Sequence, residues 1–257
     1  MVDGLDIFKK HFANYSDRYV LIGGTASSLA IEELGGDPFR VTKDLDIVLC
    51  IEALDRDFVE AFWESVKLGG YQTRQKSTEK RLFYRFHRPT DPDYPFMLEL
   101  FARVPDALEL PEAAALTPIP VDEDVSSLSA ILMDEDYYGL VMKRRKDING
   151  LAVVGPDVLI PLKAQAYMDL TQRKERGEQI ESRNIKKHKN DVFRLFAVLD
   201  RADICPLPAS IQADLEAAFR RMNEDVVSLE SLGLRAITLP ELLSSLAKFY
   251  DLNVTFD

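Results

Sequence analysis

Cysteine and histidine are scarce in this chain. Its 257 residues include two cysteines, Cys50 and Cys205, and three histidines, His11, His87 and His188. The cysteines stand far apart with no Cys-x-x-Cys spacing, and the histidines do not cluster. A disulfide framework and a zinc site built from these residue types are therefore not expected. Buried free thiols in a reducing compartment are the expectation instead. Long apolar runs are missing too. None approaches the roughly 18 residues that span a bilayer, so no membrane association is expected. The opening residues MVDGLD are acidic and are not a basic stretch leading into an apolar one, which points away from a secretory signal and toward the cytoplasm. Positive charge is the minority: 32 Lys and Arg stand against 43 Asp and Glu, for a net charge of -11 and a pI of about 4.9. Such a protein is not a general nucleic-acid binder, because phosphate backbones repel it. One local exception runs through residues 173–189, with Arg173, Lys174, Arg176, Arg183, Lys186, Lys187 and Lys189.

What remains is an ordinary globular balance, 46% hydrophobic and 29% charged, with enough length for one sizeable core or two smaller domains. Near-helical apolar spacing predicts helices over residues 5–15 and 55–68, and helix formers predict another over 25–34. Short β-type runs stand at 19–22, 45–51, 81–87 and 96–101, the last two placed to form a hairpin. Four prolines make 104–121 a loop, and further short strands are expected within 126–154, one of them at 137–142. From residue 160 onward the chain reads as helices, at 160–173, 187–201, 209–222 and 240–250. The expected architecture is α+β over residues 1–155, followed by a helical domain over 156–257.

Residues 19–49, YVLIGGTASSLAIEELGGDPFRVTKDLDIVL, carry the chemistry. They read as strand, Gly23-Gly24-Thr25 turn, helix, polar turn, and then Asp44-Leu45-Asp46 at the head of a strand. Glycines between strand and helix let the backbone approach a ligand closely. The N–H groups of the helix's first turn and the helix dipole suit a phosphate group. Thr25 either adds a hydrogen bond to that ligand or simply caps the helix. Residues i and i+2 of a strand point to one side, so Asp44 and Asp46 can meet one hard cation such as magnesium, which prefers oxygen ligands. Glu99, alone among apolar neighbours in FMLELF, is the candidate third carboxylate, since an ion inside such a strand needs a partner or a metal. The competing reading puts Glu99 on a solvated face. Two magnesium ions held by Asp44, Asp46 and Glu99 could activate an acceptor hydroxyl and steady a leaving pyrophosphate.

Gly23-Gly24-Thr25 followed by Arg40-x-Thr42-x-Asp44-x-Asp46 resembles the first motif of the DNA polymerase β-like nucleotidyltransferases. The Arg-x-Thr-x-Asp-x-Asp form is most similar to the AbiEii-type nucleotidyltransferase toxins of bacterial toxin–antitoxin systems. The resemblance implies a mixed β-sheet with flanking helices, an NTP substrate and transfer of a nucleoside monophosphate to an acceptor hydroxyl. It further implies a macromolecular acceptor, a tRNA 3′ end or a protein, and an antitoxin partner. Arg40 and Thr42 would join the nucleotide site. Lys163 looks like the family's phosphate-contacting lysine, and Asp191 like the aspartate of its later helix motif. Here the pattern departs, because Arg194 stands where a second acid often occurs and the linker between Lys163 and Asp191 is long and charged. Each residue also has a plainer reading: Lys163 with its stem packed on a helix, Asp191 as a first-turn helix acid, Arg40 in a solvated turn. Two other functions stay open. One is a nucleotide- or partner-binding protein of the same fold without catalysis, and the other is a transferase acting on a small molecule such as an antibiotic. A metal-dependent phosphatase fits poorly, since its aspartates would follow a strand.

Overall fold

The computed structural model describes residues 4–33, 44–50, 55–71, 83–101, 131–132 and 134–256. The chain divides into two compact units. Met1–Val121 and Val141–Gly155 form one, and Asp122–Leu140 and Pro156–Asp257 form the other.

The first unit is built on a six-stranded mixed sheet. Its strands are β1 (Tyr19–Ile22), β2 (Asp44–Leu49), β3 (Phe83–His87), β4 (Met97–Phe101), β5 (Arg145–Ile148) and β6 (Leu151–Val154), in the order β3-β4-β2-β1-β6-β5. Strand β2 runs antiparallel to β1 and parallel to β4, and β3 and β4 form the expected antiparallel hairpin. The period-2 alternation sorts the side chains. Tyr19, Leu21, Leu45, Ile47, Phe86, Leu98 and Leu100 share a core with Phe8 and Phe12 of α1 (Leu5–Phe12) and with Phe58 and Phe62 of α3 (Arg56–Leu68). Aromatic rings carry much of this core: Phe12 lies 5.9 Å from Phe58 and 6.0 Å from Phe62, and Trp63 meets Phe86 edge-on at 5.6 Å. Helix α3 starts where Asp55 accepts a hydrogen bond from the Phe58 N–H at 2.9 Å. The outer strand β5 exposes Arg145, Lys146 and Asp147, charges that discourage pairing with another chain.

Helix α2 (Gly23–Glu33) follows β1 with no intervening residue. The expected helix therefore begins two residues earlier, at the glycine pair itself. Ser27 Oγ and Ser28 Oγ donate to the carbonyls of Gly23 and Gly24 at 2.8 and 3.1 Å, which ties down the first turn.

The second unit holds α5 (Pro156–Glu175), α6 (Ser182–Ala197), α7 (Ala209–Asn223) and α8 (Leu239–Phe249), with a short 3₁₀ turn at Glu230–Leu232. Pro156 opens α5, where a missing N–H does no harm. Pro161, inside the same helix, cannot donate to the Asp157 carbonyl, and Tyr250 Oη donates to that carbonyl at 3.0 Å instead. Thr238 and Glu241 close a reciprocal capping box on α8. Among the described residues no helix is long and apolar enough to cross a membrane.

One local expectation is corrected. Residues 137–142 lie in a helix, α4 (Glu135–Lys143), not in a strand. The β propensity of the Tyr-Tyr and Leu-Val pairs is overridden by Asp134, whose Oδ1 accepts from the N–H groups of Asp136 and Tyr137 at 2.9 and 3.2 Å and starts the helix. The cation-rich stretch 173–189 comprises the end of α5, a non-helical connection at 176–181 that is exposed except at Ile180, and the start of α6. Acids answer many of its charges: Arg173 pairs with Glu178 at 2.8 Å, Arg183 with Glu181, and Lys189 with Asp225 at 2.6 Å.

Candidate active site

The register of the sheet places Ile22, Asp46, Glu99 and Arg85 opposite one another across β1, β2, β4 and β3. This row lies on the face away from the α1–α3 core, since Leu45, Ile47, Leu98 and Leu100 point the other way. Glu99 is buried at 6% exposure, which rules out the solvated-face reading. Its carboxyl group stands beside that of Asp46, its register partner, and its Oε1 accepts from Arg85 Nε at 2.7 Å. Burial first, and the Asp46 charge second, push the Glu99 carboxyl up to about 9, and Arg85 offsets part of the rise.

Asp46 also meets the head of α2. A Cβ built on Gly23 would stand 1.7 Å from Asp46 Oδ2 and 2.6 Å from its carboxyl carbon. Gly23 has φ +66 as well, in the left-handed region that favours glycine. The absent side chain at Gly23 is thus room for a carboxylate, beside a helix start that favours negative charge. Gly24 and the fully buried Thr25 complete that first turn.

The expected site residues fall into three groups. Gly23, Gly24, Thr25, Asp46 and Glu99 come together in the sheet unit, with Asp44 at the head of β2 opposite Met97. The Asp44 side chain, Arg40 and Thr42 lie outside the described residues. Lys163 and Asp191 come together in the helical unit, with Lys163 Nζ 3.6 Å from Asp191 Oδ2. Asp191 is fully buried and sits well inside α6, so it is not a first-turn acid, and Arg194 Nη1 reaches its Oδ1 at 3.4 Å. Lys163, at 8% exposure, is not a surface lysine.

Arg85 escaped the sequence reading. A signal was present: FYRFH and MLELF each carry one charged residue at the centre, of opposite sign, and a hairpin between them sets the two face to face.

The donor set suits a divalent cation. Two carboxylates meet across neighbouring strands, and the rise at Glu99 comes first from burial and second from the Asp46 charge, a negative charge that a hard cation would neutralise. Among the described residues no group of three Asp, Glu, His or Cys side chains could hold a metal ion, and Asp46 and Glu99 are the two carboxylates that meet across β2 and β4. No protein-family model matches the chain, and no curated protein matches it significantly.

Proposed function

We propose that this protein is a magnesium-dependent nucleotidyltransferase that moves a nucleoside monophosphate from an NTP to an acceptor hydroxyl. One observation carries the reading: the Asp46 carboxylate lies both against Gly23 at the head of α2 and beside buried Glu99. That juxtaposition puts a cation-binding pair next to a helix start suited to phosphate.

Asp46 and Glu99, with Asp44 on the same strand, would hold magnesium. Bound there, magnesium supplies Lewis-acid stabilisation of phosphate oxygens and a more acidic acceptor hydroxyl. The first turn of α2, at Gly24 and Thr25, orients the phosphates. Glu99, ionised once a cation offsets the neighbouring negative charge, takes the acceptor's proton on its carboxylate. Arg40 and Thr42 keep their place in the nucleotide site on the ground of the family resemblance. Positioning and charge stabilisation supply most of the acceleration.

The resemblance to the AbiEii-type toxins favours a macromolecular acceptor, tRNA or protein, and an antitoxin partner. The net charge of -11 and the acid-paired stretch 173–189 speak for a protein acceptor over RNA. A second reading, nucleotide or partner binding without catalysis, is favoured by Arg85, a resident cation already on a Glu99 oxygen.

Incubation with labelled NTPs, magnesium, total RNA and total protein separates these readings. Transfer of label to one fraction is expected, with Asp46→Ala reducing it at least about a hundredfold. Bound nucleotide without transfer supports the second reading. No transfer to any fraction, or an Asp46→Ala variant as active as wild type, ends the first.

A further inference from the structure

Arg85 has no part in the mechanism above, although it shares the sheet row with Asp46 and Glu99. Its side chain is 9% exposed and that of Glu99 7%. Two donors of one rigid fork, Nε at 2.7 Å and Nη2 at 2.5 Å, converge on the same oxygen, Oε1. A buried ion pair is a poor device for stability alone, because an apolar pair of similar volume does as well or better. A fixed fork is, however, a good device for orientation. It limits the rotation of a carboxylate more than one ammonium donor can. The backbone adds to this, since Arg85 and Glu99 are register partners in the β3–β4 hairpin and the strand hydrogen bonds set their spacing. A carboxylate that binds a cation must present its lone pair in one direction, and groups hydrogen-bonded to it normally set that direction.

We propose that Arg85 is a positioning residue, which holds the Glu99 carboxylate toward Asp46 so that the two share one divalent cation. The inference rests on the metal-dependent reading of this site and adds a residue that acts through Glu99 without touching the nucleotide.

The test uses manganese as the probe, with its affinity for the full chain read by electron paramagnetic resonance in the absence of nucleotide. Arg85→Met is expected to weaken manganese binding about tenfold, the usual effect of removing a group that orients a metal ligand. Arg85→Lys, which keeps the charge but not the fork, is expected to fall between Arg85→Met and wild type. On a Glu99→Gln background, Arg85→Met should change the affinity by less than about twofold, because the residue through which it acts is already altered. Wild-type affinity in Arg85→Met, or losses that simply add in the double variant, would overturn the proposal. Near-ultraviolet circular dichroism checks folding. If Arg85→Met does not fold, Arg85→Lys decides, and unchanged manganese binding there is the overturning result. Wild type that binds manganese but transfers no nucleotide sinks the transferase reading and leaves the Arg85 result standing. Wild type that transfers nucleotide while Arg85→Met binds manganese normally sinks the role of Arg85 alone. Wild type that binds no manganese overturns both.

Discussion

Gly23 meets two demands that no other residue type satisfies together: a left-handed φ and empty space on the side of Asp46. Gly23→Ala adds conformational strain of about 1–2 kcal/mol and drives a methyl group into the Asp46 carboxylate. The expected outcome is a lower thermal midpoint together with manganese binding weakened about tenfold or more, and melting curves with a manganese titration check both. A variant with only the stability loss would show that Asp46 moves aside without harm to the site. A second residue-scale prediction concerns Asp214, which accepts from Tyr137 Oη at 3.1 Å. Burial raises its carboxyl above the ordinary 3.8, the Tyr137 hydrogen bond opposes the rise, and Asp134 adds to it. A carboxyl raised in the folded state contributes stability below its unfolded pKa, and that contribution is lost as pH rises through the folded value. Asp214→Asn keeps an acceptor for Tyr137 and removes the charge. It should raise the thermal midpoint at neutral pH, with the advantage vanishing in acid below the ordinary carboxyl range. An advantage of equal size in acid would show that something other than ionisation is responsible.

Helix α5 runs through Pro161 because another element takes up the carbonyl that proline leaves. Tyr250→Phe withdraws that donor and is expected to destabilise the protein by about 1–2 kcal/mol in urea denaturation. Pro161→Ala restores the helical N–H and should remove most of the loss in the double variant. A Tyr250→Phe loss that persists in full on the Pro161→Ala background would assign it to packing. Elements of this kind show what the sequence made legible. The strands at 19–22 and 96–101, the hairpin, and the helices around 58–66 and 211–222 follow from periodicity and from glycine stops, which are local signals. Residues 137–142 misled because Tyr and Val favour strands, whereas the decisive signal was Asp134, first of three consecutive acids, capping a helix. The site was legible in part. Asp46 and Glu99 were visible as acids out of place in apolar strands. That they are register partners depends on the parallel pairing of β2 with β4, across 53 positions of chain (Asp46↔Glu99), which no short-range pattern encodes. The Lys163–Asp191 contact joins two helices and was out of reach for the same reason.

At the scale of the whole chain, the carboxylate pair and the lysine–aspartate pair belong to different compact units. Binding of a cation at Asp46 and Glu99 should therefore slow amide hydrogen exchange in β2 and β4 first. At a free manganese concentration a hundred times the dissociation constant, the stabilisation is about 2.7 kcal/mol, or about a hundredfold in exchange rate for amides that open with the site. Helices α7 and α8 should exchange as before. Equal slowing in those helices would mean that the ion engages the helical unit as well. The chain also carries its own optical label. Trp63 is its single tryptophan, and it leans edge-on against Phe86, the strand neighbour of Arg85. Light that excites indole selectively is therefore absorbed in the sheet unit alone. Any change in its emission on adding an ion or a nucleotide reports on the sheet unit, from the face opposite the Arg85 guanidinium, while the helical unit stays dark.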